Sequence, residues 1–354
     1  MAYQNVGTPR FYVNYFDWLS SHIKINSLVS GLYADPWAFR TLPVKYETWG
    51  WNGMVAENSF DGFPSTFHNF LMILGHNLAS NAYSVSVNFL FGPNYVDLRP
   101  IINGGTGGMS PTPQYDGFSL WNFDLSTNQM GVLINFDGSF PTPSVQPESR
   151  VGSIIIGRYY DMPHSPELKL TMTREMDGVK KIRTKGGVDL VDHKYTKPPM
   201  WGNTAPWEIG GTGNQSLSRV GRRSWDLSFN YLDDGDVFGS NQMLSMDSGE
   251  GYYETGGDQP HTISGFPDSL DSGDYTWDGA TWSAYTHNLL TDDNFYSQVI
   301  HKTNGGQLPF IFQPDNSSTA VDNFAICKIA NRSLVVKQVA NGVYSINLKI
   351  REVW

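Results

Sequence analysis

The sequence is poor in cysteine and in charged residues, and it has no long hydrophobic run. It contains one cysteine, Cys327, so a disulfide framework is excluded, and its apolar neighbours predict that it is buried. No uncharged apolar stretch approaches the ~20 residues that a membrane helix requires. The N-terminus also lacks the basic start and apolar stretch of a signal peptide. We therefore expect a soluble protein without membrane insertion or a secretion signal.

Positive charge is scarce as well. Lys and Arg number 24 against 34 Asp and Glu, which gives a net charge of −10 at pH 7. Sequence-independent binding of nucleic acid depends on clustered Lys and Arg that neutralise phosphates. No nucleic-acid partner is therefore expected.

Glycine, proline and aromatic residues are abundant instead. The 354 residues include 36 Gly and 20 Pro, and aromatic residues make up 14%. Frequent turns and large flat side chains favour an all-β protein, and the length suggests two domains. Because 197–202 and 210–214 interrupt the strand pattern, we predict an N-terminal segment 1–34 and two β domains, 35–195 and 215–354.

The closing segment 343–354 has the clearest strand pattern, since Tyr344, Ile346, Leu348 and Ile350 alternate with polar residues. The segment 224–231 alternates in the same way, and we expect the two segments to pair in one sheet. The closing strand is thus predicted to be half-buried and antiparallel.

Other strands and one hairpin follow from the same patterns. The apolar runs 70–74 and 154–157 predict strands in the interior of a sheet, and 83–89 alternates. The segments 168–172 and 179–183 flank Asp177 and Gly178, a dipeptide favoured in tight turns, and they are predicted to pair as a hairpin.

One short helix is predicted in the second domain, over 292–302, with Thr291 as its cap and Gly305 just beyond its end. The N-terminal segment 1–34 is ambiguous. Thr8 and Pro9 suit the start of a short helix, whereas 11–13 suits a strand. This segment is predicted to make assembly contacts.

A biased segment, 247–278, contains eight acidic residues, six glycines and no Lys or Arg. Structureless loops of this length are uncommon in compact domains and are usually functional, interfacial or disordered. Exposed aromatic rings beside acids and amides often hold sugars or partner proteins, although loop aromatics are more commonly tucked into the fold. The candidate binding contacts in and just after this acidic loop are Tyr252, Tyr253, Trp277 and Trp282.

Catalytic and metal sites are not indicated. The glycine run 104–108 lacks the Lys-Ser/Thr of a phosphate loop and is predicted to be a flexible loop, and His68 and His76 do not have the spacing of metal ligands on a helix. The aspartates of 233–236 and 268–274 do not match a helix-loop-helix calcium site. We therefore expect no catalytic residue, no cofactor and no bound metal, and hence no enzyme.

Several phrases resemble known proteins. NFLMILGHNL at 69–78 and VGSIIIGR at 151–158 resemble strands of galactose-binding-like jelly rolls embedded in phage structural proteins. GGQLPFIFQPD at 305–315, with FAIC at 324–327, YSI at 344–346 and the closing EV at 352–353, is similar to the C-terminal β domain of tailed-phage tail and baseplate proteins. The matched phrases are core strands, so sugar binding does not carry over to any residue.

The resemblance implies an N-terminal jelly-roll β-sandwich followed by a second β-sandwich or barrel with one short helix. It also implies a structural component of a bacteriophage virion, at the tail tip, the baseplate or a fibre-attachment point. The expected partners are other virion structural proteins and copies of this chain, assembled in the host cytoplasm. The alternatives are an adhesin module that binds a host surface glycan and a polysaccharide-degrading enzyme that uses carboxylates.

The closing strand gives a first prediction. Deleting the final ten residues should unfold the second domain, because it removes three of the four apolar side chains whose burial together contributes at most roughly 6–12 kcal/mol. Thermal melting of the truncated chain measures this effect. A soluble truncated protein with unchanged melting would contradict the prediction.

Overall fold

The computed structural model describes residues 7–15, 17–18, 47–49, 53–56, 68–89, 96–124, 132–138, 149–168, 171–175, 179–193, 221–237, 293–340 and 342–353. These residues are mostly β-sheet with very little helix, so the all-β prediction is confirmed. No helix among them is long and apolar enough to cross a bilayer.

Most of the described residues belong to β-strands. In chain order the strands are β1 (Arg10–Asn14), β2 (Glu47–Trp49), β3 (Gly53–Ala56), β4 (Phe70–His76), β5 (Tyr83–Phe89), β6 (Arg99–Ile102), β7 (Gly117–Asn122), β8 (Val132–Gly138), β9 (Ser149–Val151), β10 (Ser153–Asp161), β11 (Thr171–Glu175), β12 (Val179–Arg183), β13 (Asp189–His193), β14 (Arg222–Leu232), β15 (Phe310–Gln313), β16 (Ala325–Ile329), β17 (Val336–Ala340) and β18 (Val343–Glu352).

A large sheet of 11 strands dominates the fold. Its order is β11-β14-β18-β16-β15-β1-β10-β4-β7-β6, and β17 pairs with β18 beside this path. A sheet of three strands, β3-β8-β5, and two sheets of two strands, β2-β9 and β12-β13, complete the described pairing. The named pairs are antiparallel, including the predicted pair β14 and β18, in which Leu227 faces Leu348.

Strand β1 joins strands that are far apart in the sequence. Phe11 faces Tyr160 of β10 on one side and Phe312 of β15 on the other. The ambiguous N-terminal segment is therefore a strand at these residues, and helical backbone begins only at Tyr15. Asn14, rather than Thr8, acts as the cap, because its Oδ1 accepts the Asp17 N–H at 3.4 Å. Both predicted β domains contribute strands to this one sheet, and the predicted boundary between 195 and 215 lies outside the described residues.

The large sheet is buried on both faces at its centre. Every residue of β4 is buried, as its continuous apolar run predicts. Leu71 and Ile73 pack with Val85 and Ile134 of the three-stranded sheet, so the two sheets form a sandwich. The jelly-roll topology itself stays a prediction.

On the opposite face of β4 lies a second layer, which includes Phe70 and Met72 and extends to Tyr12 of β1 and Phe324. A third core fills the half of the sheet that contains β14 and β18. There Phe229 packs with Phe11 and Phe295. Each face of the central strands is thus covered by its own apolar layer.

The predicted hairpin between 168–172 and 179–183 is wrong. Strand β11 pairs with β14, and β12 pairs with β13 around a turn at 184–187. Gly187 has a φ of +85°, which glycine adopts without steric cost, and its N–H donates to Thr184 O at 2.9 Å. The hairpin therefore forms around the turn that follows β12, and β11 joins the large sheet.

The predicted short helix is present with different bounds. A π-helical turn, Tyr296–Ile300, continues into a 3₁₀ turn, His301–Thr303. Asn294 caps the segment, since its Oδ1 accepts the Ser297 N–H at 2.8 Å, while the predicted cap Thr291 lies outside the described residues. Asn304 has a φ of +51° and Gly305 has a φ of +71°, so the backbone turns left-handed where the sequence predicts the end.

A buried ion pair ties β14 to β18. Arg223 and Glu352 expose only 6% and 3% of their side chains, and Arg223 Nη2 lies 3.1 Å from Glu352 Oε1. The backbone N–H of Arg223 also donates to Glu352 Oε2 at 2.8 Å, and Nη2 donates to Phe324 O at 2.6 Å. Cys327, which faces Glu352, is fully buried as predicted, and burial raises the pKa of its thiol.

We expect Glu352→Ala to lower the free energy of unfolding by about 3–5 kcal/mol, because it leaves the Arg223 charge buried without its counter-ion. Urea unfolding of the full chain measures this loss. The matched control is Arg351→Ala, which removes an exposed pair with Glu175 from the neighbouring position and should change stability by at most about 1 kcal/mol. Equal losses in the two variants would contradict the prediction.

Candidate interaction surfaces

The binding residues predicted from sequence lie outside the described part of the chain. Tyr252, Tyr253, Trp277 and Trp282 fall in 238–292, as does the acidic loop 247–278. Their role as partner or glycan contacts stays a prediction. The described residues nevertheless contain two buried polar clusters and two exposed surfaces that bear on function.

The first polar cluster holds the glycine-rich loop. Asn103 has a φ of +50°, and its Oδ1 accepts the N–H groups of Gln114 and Tyr115, both at 2.9 Å. Trp121 Nε1 donates to Gly104 O at 2.9 Å, and a Cβ on Gly105 would lie 2.1 Å from Thr112 O. The loop predicted to be flexible is therefore fastened to the sheet by specific hydrogen bonds, and its glycines permit close backbone approach.

His76 and Ser119 form a hydrogen bond within this cluster, but the direction in which the proton is donated does not suit nucleophilic catalysis. The Leu78 N–H donates to His76 Nδ1 at 3.4 Å, so the proton sits on Nε2, which donates to Ser119 Oγ at 2.8 Å. The Ser119 hydroxyl in turn donates to Asn103 O at 3.0 Å. A general base would have to accept the serine proton, whereas this histidine gives one. The cluster is structural.

The second polar cluster lies where β1 ends against the helical segment. Lys302 is buried, and its Nζ donates to Gln298 Oε1 at 2.9 Å. Burial and the nearby Lys302 charge lower the pKa of His68 to about 3. Burial likewise lowers the pKa of His76 to about 4, although the Asp116 charge opposes this shift. In the described ranges, no group of three or more His, Cys, Asp and Glu could hold a metal ion.

The first exposed surface is the hairpin of β12 and β13. Ile182 faces Leu190 directly across the hairpin, and Val188 follows on the same face because it pairs with Thr184 at the turn. The exposed fraction is 64% for Ile182, 57% for Leu190 and 61% for Val188. We call these three side chains the hairpin face. The hairpin face was not predicted from the sequence, because the segment 179–183 was expected to pair with 168–172 and not with β13.

The hairpin has a positive net charge, but its basic residues are divided between its two faces. The range 179–193 contains four basic residues, Lys180, Lys181, Arg183 and Lys185, and two aspartates, Asp189 and Asp192, so its net charge is +2 with histidine neutral. On the face of the hairpin opposite Ile182 and Leu190, Lys181 Nζ forms an ion pair with Asp189 Oδ2 at 2.6 Å. Both residues of this pair are exposed. The hairpin is thus positive in a chain of net charge −10.

The second exposed surface lies where β14 ends. The alternation of 224–231 predicts that Tyr231 points inward with Phe229, but this residue is 82% exposed. The register of β14 on β18 shifts between Phe229 and Leu232, and Tyr231 has a φ of +63°. A bulge therefore turns the ring outward, at a backbone cost of order 1–3 kcal/mol.

An exposed leucine and several acids accompany this tyrosine. Leu168 is 89% exposed, and it follows Glu167, whose N–H donates to Ser228 O at 2.8 Å. The side chains of Asp233 and Asp236 cap each other's backbone, and the Asp236 N–H donates to Asp233 Oδ1 at 2.9 Å. The residues 225–237 include four aspartates and no Lys or Arg. We call the group of Glu167, Leu168, Tyr231, Asp233 and Asp236 the Tyr231 surface.

Strand β11, the last described strand before the hairpin, ends at the opposite end of β14 from Tyr231. Thr171 faces Asp226 and Glu175 faces Arg222, so the chain runs along β11 toward the Arg222 end and then enters the hairpin. Strand β14 has 11 residues. At about 3.3 Å per residue, its two ends are roughly 30 Å apart.

Comparison of the chain with protein-family models, with curated proteins and with solved structures finds no match.

The two buried histidines predict acid sensitivity. In the unfolded chain a histidine binds its proton near pH 6.5, whereas the folded protein excludes it until about pH 4 at His76 and about pH 3 at His68. Stability is therefore fully present above pH 6.5 and falls as the pH drops toward these folded values. Between pH 7 and pH 5 we expect a loss of about 2 kcal/mol for each histidine.

Urea unfolding of His76→Gln at pH 7 and pH 5 tests this linkage, and the variant should show a smaller pH-dependent loss than the native chain. Ser119→Ala is the control, because it removes the hydrogen bond to the imidazole but keeps the histidine buried. It should lower stability at both pH values and keep the pH dependence. An unchanged pH dependence in His76→Gln would be the contrary result.

Proposed function

We propose that this chain is a structural component of a bacteriophage virion that acts by protein–protein assembly. Its proposed place is the tail tip, the baseplate or a fibre-attachment point, and its proposed partners are other virion structural proteins and copies of itself. The proposal combines the resemblance of its core strands to phage tail proteins with the properties of its exposed surfaces.

The hairpin face is the observation that carries the assembly proposal. A two-stranded hairpin is at best marginally stable alone in water, and this one presents three exposed apolar side chains on one face. Covering such side chains with a partner is favourable, at roughly 1.5–3 kcal/mol for each one that becomes fully buried. A protein that functions by docking on a neighbour is expected to present such an element.

The body that carries the hairpin suits a structural role. Both faces of the central strands are packed, and the ion pair of Arg223 with Glu352 fastens β14 to the strand beside it. Fully satisfied buried polar groups help to specify one arrangement of a core. A sheet packed on both faces in this way supports the proposal of a structural role.

The alternative function, a carbohydrate-binding adhesin module, rests on a different observation. Four aromatic residues, Tyr252, Tyr253, Trp277 and Trp282, lie in or next to the acidic loop 247–278. Flat rings beside carboxylates are a common arrangement for holding sugars. This function would make a host surface glycan the partner.

Immunogold labelling of phage particles with antibodies against the purified chain tests the assembly proposal. We expect gold particles at the tail or baseplate of intact virions. Labelling that occurs only in infected cells, and never on particles, would overturn it. A glycan array separates the alternative: binding that disappears in Trp277→Ala and Trp282→Ala would identify an adhesin, whereas an assembly protein should bind no glycan.

A further inference from the structure

The described residues on either side of the range 238–292 meet at one residue of the large sheet, Tyr160 of β10. Before the range, the carbonyl oxygen of Asp236 accepts a hydrogen bond from Tyr160 OH at 3.2 Å. After the range, the ring of Phe295 lies against the ring of Tyr160, with 6.0 Å between the two centroids. A single tyrosine side chain therefore contacts the chain where it leaves the sheet and where it returns.

Charged groups place the two ends together in the same way. Arg158 Nη2 forms an ion pair with Asp293 Oδ2 at 2.7 Å. Arg158 and Tyr160 are two residues apart in β10, so they lie on one face of the strand, roughly 7 Å from each other. The pKa of the Tyr160 hydroxyl is raised first by burial and then by the charges of Asp236 and Asp293, which come from opposite ends of the range.

Both ends are also fixed in the same core. Val237, the last described residue before the range, is completely buried beside Phe229 and Leu348. Phe295 is completely buried in this core as well, and its ring packs on that of Phe11 in β1, with 5.6 Å between the centroids. Each of these contacts joins residues that lie outside 238–292. The two ends are therefore held next to each other by the sheet and its core.

We propose that the range 238–292 is an insertion attached at Tyr160, and that the rest of the chain folds and stays folded without it. Insertions are tolerated where the two ends of the inserted chain are close together. The cost of closing such a loop changes only slowly with its length. This inference goes beyond the proposed function, because it separates the acidic part of the chain from the part that forms the sheet.

A deletion variant tests the inference directly. A linker of six Gly and Ser residues, with an r.m.s. span of roughly 13 Å, replaces 238–292 and joins Val237 to Asp293. We expect the variant to be soluble and to melt within about 3 °C of the native chain or above it, because a shorter loop costs less entropy to close. A variant that is insoluble or melts more than about 5 °C lower would overturn the inference.

Phe295→Ala is the control, because it keeps 238–292 and removes a completely buried ring from the core beside Tyr160. It should lower the melting temperature by at least about 5 °C. One side chain at the attachment point should thus matter more to stability than the whole inserted range. A larger loss in the deletion variant than in this control would also contradict the inference.

A second measurement uses the full chain with a recognition site for a specific protease placed between Gly256 and Gly257. After cleavage the two fragments should elute together in size-exclusion chromatography and melt at the temperature of the uncut protein. Strand β1 pairs with β15, and β14 pairs with β18, so both pairs join the two fragments across the cut. Fragments that separate, or a cut protein that melts at a clearly lower temperature, would show that 238–292 holds the fold together.

Discussion

Strand β1 is the constraint on which the rest of the structure depends. All five of its residues pair with β10 on one side, and the residues from Arg10 to Tyr12 pair with β15 on the other, so it connects the strands of the first half of the chain to those of the second. Phe11 and Tyr12 are completely buried, on opposite faces, in two different cores. Tyr12 OH also donates to Gln313 Oε1 at 3.0 Å, which fixes the register of β1 against β15.

Patterns of hydrophobicity predicted many of the strands but not all of their partners. The alternation in 343–354 identified both the buried residues of β18 and its neighbour β14, because each half-buried strand requires a matching face. The run 70–74 identified an interior strand. The pairing of β11 could not be predicted, since Asp177-Gly178 and the turn at 184–187 both suit a hairpin and only the tertiary structure selects between them.

The surfaces were harder to predict than the core. Tyr231 continues the alternation of Trp225, Leu227 and Phe229, and a bulge then reverses its direction. A bulge depends on how two strands meet and leaves no periodic trace in one of them. The apolar residues of β12 and β13 are interspersed with lysines, so the sequence alone resembles an ordinary solvated hairpin, and only the structure shows that several of these apolar side chains are exposed. The aromatic residues of the acidic loop were identified by composition alone, and their proposed role rests on that composition.

The position of β1 also has a kinetic consequence during synthesis. Tyr12 and its partner Gln313 are 301 residues apart. At translation rates of about 5–20 residues per second, roughly 15–60 s pass before β15 leaves the ribosome and β1 can be covered on that side. During this interval a strand with three consecutive large buried side chains, Phe11, Tyr12 and Val13, lacks one of its neighbours. The central sheet therefore cannot be completed until synthesis is almost finished, and until then β10 is the one native neighbour of β1 that can already be paired with it.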